Sequence, residues 1–271
     1  MNRHIPRKRF GQHFLHDERT IGRILLALAP RPEQTIVEIG PGLGALTVPL
    51  LERIGHLDVV ELDRDVIPHL QEHCAGKGDL RIHAADALNF DYASLTTPGK
   101  KLRLIGNLPY NISTPLLFAL LAQRHCISDM LFMLQKEVAQ RICAEPGGGD
   151  FGRLSVMTQY FCVTELVLIV KPGAFTPPPK VDSAVIRLTP HNVPPHRAHD
   201  ETYFAQLVGQ AFSQRRKTLR NSLRDMVNEQ QFAATGIDPG LRPETLSVAQ
   251  FVALANASGD VTKQITRERQ A

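Results

Sequence analysis

Residues 35–44 carry the sequence TIVEIGPGLG, a β-branched run that passes directly into a glycine-rich turn. The run predicts a buried strand, and a helix is expected to begin near Ala45. Because glycine adopts positive φ and has no Cβ, this turn allows a ligand to lie against the backbone at the strand end. A dinucleotide fingerprint starting at Gly42 would need glycine or alanine where Thr47 stands, so an NAD site is disfavoured. A turn without a ligand is the alternative for this motif alone.

Outward from this turn, short β-branched runs alternate with amphipathic stretches, a pattern typical of an α/β fold with a mostly parallel sheet. Two later runs, 165–170 and 181–188, are separated by a proline-rich segment too short for a crossover helix, which predicts an antiparallel hairpin at the sheet edge. The earlier strands are predicted near 35–39, 56–62, 80–84, 102–106 and 130–134.

The chain is expected to divide into an α/β domain over 1–190 with a basic N-terminal arm, a linker over 191–200 and a small helical domain over 201–271. The linker is rich in proline and histidine and has no periodicity. Apolar residues then recur at intervals of three and four, which predicts an amphipathic helix. They are Phe204, Leu207, Val208, Ala211 and Phe212, followed by Leu219, Leu223 and Met226.

The composition and charge of the chain exclude some classes of protein. The 271 residues have a formal net charge of +4 and a sequence pI near 9.0. No apolar run approaches the roughly 20 residues that span a bilayer, and no apolar segment of a secretory signal follows the basic N-terminus. We therefore expect a cytoplasmic protein. Neither the four widely spaced cysteines nor the histidines show ligand spacing, so no metal site is expected.

Two acidic residues follow successive predicted strands. Glu61 ends the strand VVEL about 20 residues after the glycine turn, where a carboxylate accepts hydrogen bonds from a ribose diol. Asp86 follows the next strand and is placed to accept from an adenine amino group. Either acid alone could be a helix cap or a solvated charge. Their joint position at one sheet edge favours a site for an adenosine-bearing ligand.

The most informative tetrad is Asn107-Leu108-Pro109-Tyr110, which follows the fourth predicted strand and resembles the [Asn/Asp/Ser]-Pro-Pro-Tyr motif of exocyclic-amine methyltransferases. The lone pair of an adenine N6 amine is delocalised into the ring, so acceptors must draw the amine toward tetrahedral geometry. The Asn107 side-chain oxygen and the Leu108 carbonyl are predicted to accept its N–H groups. Pro109 stiffens the turn and Tyr110 stacks on the base. A proline turn with a core tyrosine is the alternative.

Two further features concern the substrate. Phe175, in the sequence FTPPPKVDS, is a candidate for the second face of a base sandwich, with a core aromatic as the alternative. Basic residues at the N-terminus and on the predicted C-terminal helix are candidates for phosphate contacts, although a solvated helix face would look the same. These candidates are Arg7, Lys8, Arg215, Arg216, Lys217, Arg220 and Arg224.

Together these motifs closely resemble the ribosomal RNA adenine N6-dimethyltransferase family, in particular its bacterial small-subunit members. The resemblance covers nearly the whole chain and rests on residues 11–15, 38–44, 61–63, 86–88, 107–110, 134–138, 175–183 and 214–221. It implies a Rossmann-like S-adenosylmethionine methyltransferase sheet in 1–190 and an RNA-binding helical domain in 201–271. It also implies dimethylation of two neighbouring adenosines in the 3′-terminal hairpin of 16S rRNA in the small ribosomal subunit.

By the same resemblance, S-adenosyl-L-methionine is the cofactor, and a monomer suffices. The implied cofactor residues are His13, Leu15, Gly40, Gly42, Glu61, Asp86 and Asn107. The family often has asparagine where this chain has His13, so a backbone contact is expected there more firmly than a side-chain contact.

Three other functions remain open at this stage. A large-subunit rRNA adenine dimethyltransferase shares most of the motifs, although the FTPPPKVDS and QRRKTLR stretches favour the small-subunit enzyme. A DNA adenine methyltransferase usually carries a separate DNA-reading domain, for which the C-terminal tail leaves little room. From a different class, a ribosome-assembly binding factor would use methylation only to license its departure.

Overall fold

The computed structural model describes residues 13–214 and 216–268, with side chains described as far as residue 259. The chain forms two compact units, one of Met1–Ala139 with Val163–Pro190 and one of Gln140–Cys162 with His191–Ala271. The second unit therefore includes a segment, Gln140–Cys162, that the sequence assigns to the 1–190 domain. The reason lies within that unit, where the helix Arg153–Phe161 packs against the helix Glu201–Ala211. The predicted domain boundaries otherwise stay a prediction.

Strands and helices alternate through the first unit, as predicted. The strands are β1 (Phe14–Leu15), β2 (Ile36–Ile39), β3 (His56–Glu61), β4 (Asp79–Ala84), β5 (Leu102–Asn107), β6 (Ile127–Gln135), β7 (Cys162–Val170), β8 (Phe175–Thr176) and β9 (Ser183–Pro190). The helices are α1 (Glu18–Leu28), α2 (Thr47–Ile54), α3 (Ile67–Cys74), α4 (Ser113–Ala122) and α5 (Lys136–Ile142), the last of which crosses into the second unit.

Seven of these strands form one sheet in the order β4-β3-β2-β5-β6-β9-β7. The five strands from β4 to β6 run parallel, and β9 runs antiparallel to β6. Strands β9 and β7 are neighbours at the edge, which confirms the predicted edge hairpin as part of a Rossmann-like sheet. The chain order reverses beside β2, and this is the position where open α/β sheets bind ligands.

A close approach between β2 and β5 shapes the centre of this sheet. A Cβ on Gly106 would overlap the Ile39 carbonyl, so only glycine fits there. Strand β2 is buried at every residue because helices cover both faces of a parallel sheet. Gly106 thus allows the next residue, Asn107, to lie beside the glycine turn that follows β2.

The pair β1 and β8 forms a separate two-stranded antiparallel sheet, with Leu15 opposite Phe175. Sequence periodicity did not predict it, because two-residue strands have no measurable period. Both of these side chains belong to the hydrophobic core that also contains α1 and β2 residues. This pairing therefore holds Phe14 and Leu15 against the segment that precedes β9.

The second unit is helical. Its remaining helices are α6 (Arg153–Phe161), α7 (Glu201–Ala211), α8 (Leu219–Ser222), α9 (Glu229–Thr235) and α10 (Val248–Glu268). The predicted apolar face of α7 is buried, with Phe204, Leu207, Val208 and Ala211 fully covered. Within the part of the chain that the structure describes, no helix is both long and apolar enough to cross a membrane.

Candidate functional site

A cavity of about 220 Å³ lies at the carboxyl ends of β2, β3, β4 and β5. Parallel strands bring these ends to one edge of the sheet, so residues far apart in sequence meet there. The cavity is lined by all seven predicted cofactor residues and by the whole predicted target-base tetrad. These are His13, Leu15, Gly40, Gly42, Glu61, Asp86, Asn107, Leu108, Pro109 and Tyr110. What each of them binds stays a prediction at this point.

The glycine turn forms one wall of the cavity. Gly42 has a φ of +54°, and a Cβ built there would lie 3.1 Å from the Phe14 ring. Any side chain at this position would be strained and would press on that ring. The turn therefore keeps the backbone bare on the side that faces the cavity.

Glu61 is 8% exposed and fixed by two backbone donors. Its Oε1 accepts from the Asp63 N–H at 2.8 Å, and its Oε2 accepts from the Gly42 N–H at 3.2 Å. Burial raises the pKa of this carboxyl, and the backbone hydrogen bonds oppose that shift. Because a carboxylate offers about four lone-pair sites, acceptor capacity remains for hydroxyl donors in the cavity.

Glu38 is a cavity residue to which sequence reasoning assigned no role. It is 2% exposed, and its Oε2 accepts from the Thr47 hydroxyl at 2.6 Å. Burial raises its pKa to about 8, although the Thr47 hydrogen bond acts in the opposite direction. A carboxyl group inside the otherwise apolar strand IVEI was the available signal. Glu38 is therefore a further acid on the cavity wall, and its raised pKa favours the protonated form at neutral pH.

Asp86 occupies the next strand end. Its Oδ1 accepts from the Leu88 N–H and its Oδ2 from the Asn89 amide, both at 3.0 Å. These bonds hold the carboxylate against the turn after β4, on the wall of the cavity. The side chain is thus oriented before any ligand binds.

Asn107 is oriented by a single contact. Its Nδ2 donates one N–H to the His13 carbonyl at 3.0 Å, which fixes the orientation of the amide. Among the described residues, no donor is paired with its Oδ1. The next residue is anchored through its backbone, because the Leu108 N–H donates to the Met133 carbonyl at 3.0 Å. One amide oxygen is thereby left to face the cavity.

Tyr110 is half-buried at the mouth of this site. Its hydroxyl shares a 2.7 Å hydrogen bond with Ser183 Oγ, and its ring centroid lies 5.6 Å from that of His13. The His13 Nδ1–H donates to the Pro177 carbonyl at 2.8 Å. Burial raises the pKa of the Tyr110 hydroxyl, while the Ser183 hydrogen bond lowers it. The ring is therefore held as a neutral phenol.

The place predicted for Phe175 in a base sandwich stays a prediction, and the structure shows where the ring lies without a bound base. Its side chain is 2% exposed and belongs to the hydrophobic core, and it does not line the cavity. The cause is the pairing of Phe175 with Leu15, which turns Phe175 inward and leaves Thr176 exposed. In this structure Phe175 is a core aromatic.

The prediction that the basic residues share one face of a continuous helix is wrong. Helix α7 ends at Ala211, and α8 has only four residues, so no continuous helix joins the two. The backbone N–H groups of Leu219 and Arg220 donate to Leu241 and Pro239 carbonyls, which bends the chain away from a helical path.

The basic residues themselves have different surroundings. Arg220 pairs with Glu229 at 3.2 Å and Arg224 with Asp225 at 3.4 Å, both in exposed positions. Arg216 and Lys217 are exposed in the turn before α8. Arg7, Lys8 and Arg215 lie outside the described residues.

Residues 3–259 match a family model described as ribosomal RNA adenine dimethylase. The chain belongs to this family. A ribosomal RNA small subunit methyltransferase A from Alcanivorax borkumensis is 58% identical over 258 residues, covering 95% of this chain and 92% of that protein. The protein of the same name from Pseudomonas aeruginosa is 55% identical over 253 residues, covering 93% of this chain and 94% of that protein.

Two solved structures extend the match to the adenine dimethylase fold. A dimethyladenosine transferase from Plasmodium falciparum has a TM-score of 0.73 at 25% identity and covers 89% of this chain and 96% of its own. The 23S rRNA methyltransferase ErmE has a TM-score of 0.71 at 26% identity and covers 91% of this chain and 99% of its own. The Rossmann-like methyltransferase fold predicted from sequence is confirmed.

Proposed function

We propose that this chain transfers methyl groups from S-adenosyl-L-methionine to N6 of two adjacent adenosines in the 3′-terminal hairpin of 16S rRNA, giving N6,N6-dimethyladenosine. One observation carries the proposal. A single cavity joins the acid-lined strand ends of β3 and β4 to Asn107 and Tyr110 at the end of β5. Membership of the ribosomal RNA adenine dimethylase family and the names of the small-subunit relatives support the same reaction.

The residues fit an adenosine-bearing cofactor. Glu61 is held rigidly with acceptor capacity for a ribose diol, and Asp86 is held to accept from an adenine amino group. The bare backbone at Gly42 leaves room beside them. Among the residues that the structure describes, this wall contains no lysine or arginine that would bind a pyrophosphate, which suits a nucleoside more than a dinucleotide. When bound, S-adenosyl-L-methionine supplies a methyl group on a sulfonium, which is already a reactive electrophile.

The target amine is activated by acceptors. One N–H of the Asn107 amide donates to the His13 carbonyl and orients the group, and its Oδ1 is the atom that can accept an N–H of the adenine amine. The Leu108 carbonyl accepts the second N–H, and Tyr110 stacks on the base. Both contacts strengthen as the nitrogen becomes tetrahedral, so they stabilise the transition state more than the ground state. In-line positioning supplies most of the remaining acceleration, and no strong general base is needed.

The same proposal places the reaction on the small ribosomal subunit in the cytoplasm, with a monomer of this chain as the active form. The exposed Arg216 and Lys217 are proposed to contact rRNA phosphates together with Arg215, Arg220, Arg224, Arg7 and Lys8. Cations in such positions make binding dependent on salt.

The test is a methylation assay with radiolabelled S-adenosyl-L-methionine and, separately, unmethylated small subunits, large subunits and DNA. We expect label in small-subunit RNA alone. Asn107→Ala should abolish the label. Asn107→Asp keeps an oxygen that accepts from the adenine amine but loses the N–H that donates to His13, so it shows whether the orientation of the side chain matters as well as its acceptor. Label in large-subunit RNA would instead favour the activity named for ErmE. Binding to small subunits without any methyl transfer would favour the assembly-factor alternative.

A further inference from the structure

Two lysines pair with one aspartate on the segment that leads into β9, and a third lysine stands two residues before that aspartate in the sequence. Asp182 Oδ2 lies 2.8 Å from Lys171 Nζ and 3.8 Å from Lys136 Nζ. Lys180, two residues before Asp182, is exposed and has no ion pair within the described part of the chain. We call Lys136, Lys171, Lys180 and Asp182 the lysine rim. Its net formal charge is positive, because it contains three lysines and one aspartate.

The lysine rim lies next to a hydrogen bond that reaches the cavity wall. Asp182 precedes Ser183, whose hydroxyl is bonded to the Tyr110 hydroxyl on the cavity wall. The Lys136 N–H also donates to the Asp182 carbonyl at 2.9 Å. At the other end of the same segment, the Pro177 carbonyl accepts from His13, which is again a wall residue. The segment that carries Lys180 and Asp182 is therefore hydrogen-bonded on both sides to His13 and Tyr110, which line the cavity.

Stability does not account for this concentration of charge. The Lys171 side chain is 76% exposed, and the Lys136 side chain is 39% exposed. Ion pairs this exposed contribute about 0–1 kcal/mol to folding. Lys180 gains nothing from them, since it forms no pair. The arrangement instead leaves positive charge turned to solvent beside the site where a substrate base would enter.

The chemistry of the rim fits a nucleic acid backbone. A base that is extruded into a pocket leaves its sugar and flanking phosphates at the pocket mouth. Lysine is a compact charge on a flexible stem and binds phosphate as a point charge, without selecting a base. The rim carries no aromatic side chain on which a second base could stack. Val181, which stands between Lys180 and Asp182 in the sequence, has an exposed apolar side chain that suits contact with a sugar.

We propose that the lysine rim binds an rRNA phosphate next to the extruded adenosine, with Asp182 partly neutralising the lysines. This inference rests on the proposed function and adds a substrate contact in the first unit, separate from the basic residues near α8. Asp182 opposes the phosphate electrostatically. Removing its charge should therefore strengthen binding, whereas removing the lysines should weaken it.

The experiment measures filter binding of unmethylated small subunits to the full chain across a salt series, with Lys171→Gln, Lys180→Gln and Asp182→Asn. Lys77→Gln is the control, because Lys77 is likewise ion-paired, with the exposed Glu52, but lies two residues before β4 begins, at the opposite end of that strand from the cavity. Calorimetric titration with S-adenosyl-L-methionine and a thermal melt check that each variant keeps its fold.

We expect each lysine variant to bind small subunits about threefold more weakly at moderate salt, with a smaller slope of log affinity against log salt. Asp182→Asn should bind more tightly, and cofactor affinity should stay unchanged in all variants. The proposal is overturned if the lysine variants match Lys77→Gln in affinity and slope, or if Asp182→Asn binds more weakly. Methyl transfer by the unsubstituted protein is scored separately, so failure of the proposed function is distinguishable from failure of the rim.

Discussion

Replacing Glu38 by glutamine should change how stability depends on pH. The carboxyl is 2% exposed, and its pKa is raised from 4.5 to about 8, chiefly by burial. Between those two values the folded state holds a proton that the unfolded state releases, so stability falls as pH rises. Each pH unit costs about 1.4 kcal/mol, and the loss reaches roughly 5 kcal/mol near pH 8. Glutamine keeps an acceptor for the Thr47 hydroxyl and has no proton to lose.

The assay is urea unfolding of the wild-type chain and the Glu38→Gln variant at pH 5 and pH 8. We expect similar free energies of unfolding at pH 5 and a variant that is several kcal/mol more stable than wild type at pH 8. Glu165→Gln, at an exposed position on β7, controls for the loss of a glutamate. The reasoning is refuted if the gap between wild type and Glu38→Gln is the same at both pH values.

Three further predictions follow from the site and the core. Gly42→Ala and Gly55→Ala should each cost about 1–2 kcal/mol of stability, because both glycines have left-handed backbone conformations. Only Gly42→Ala, whose Cβ also meets the Phe14 ring, should weaken cofactor binding in calorimetry. Equal cofactor affinities of the two variants would contradict the close packing at Gly42. Phe175→Ala should lower the free energy of unfolding in urea by about 3–5 kcal/mol because it empties a buried site, and a loss under about 1 kcal/mol would show that the side chain is not in the core. Glu61→Gln should weaken S-adenosyl-L-methionine binding about 10–100-fold, as expected for hydrogen bonds to a charged group, and an unchanged Kd would remove Glu61 from the cofactor site.

The fold and most of the cavity were predictable because both depend on local patterns. Most strands of the main sheet have an apolar or alternating run long enough to detect, and the carboxyl ends of parallel strands must meet at one edge. That rule was sufficient to bring Glu61, Asp86 and Asn107 together, although they lie far apart in the sequence. The contact of Asn107 with the His13 backbone was not predictable in the same way, because it joins segments that share no periodicity.

The features that the sequence did not reveal arise where a distant partner decides the local structure. Phe175 turns inward because a two-residue strand pairs it with Leu15, and nothing near Phe175 in the sequence encodes that pairing. The basic stretch before Leu219 continues the helical pattern of α7, yet the Leu219 N–H bonds to Leu241 instead. The raised pKa of Glu38 depends on burial, which a residue type alone does not reveal.

The central claim is tested most directly by counting and locating the methyl groups added to unmethylated small subunits by the purified chain. After exhaustive reaction, nuclease digestion and mass spectrometry identify the modified nucleosides and their positions. The account predicts four methyl groups per subunit, all on N6 of two adjacent adenosines near the 3′ end of 16S rRNA, and none with Asn107→Ala. Stable binding without transfer, or methyl groups found only in large-subunit RNA or DNA, would contradict it.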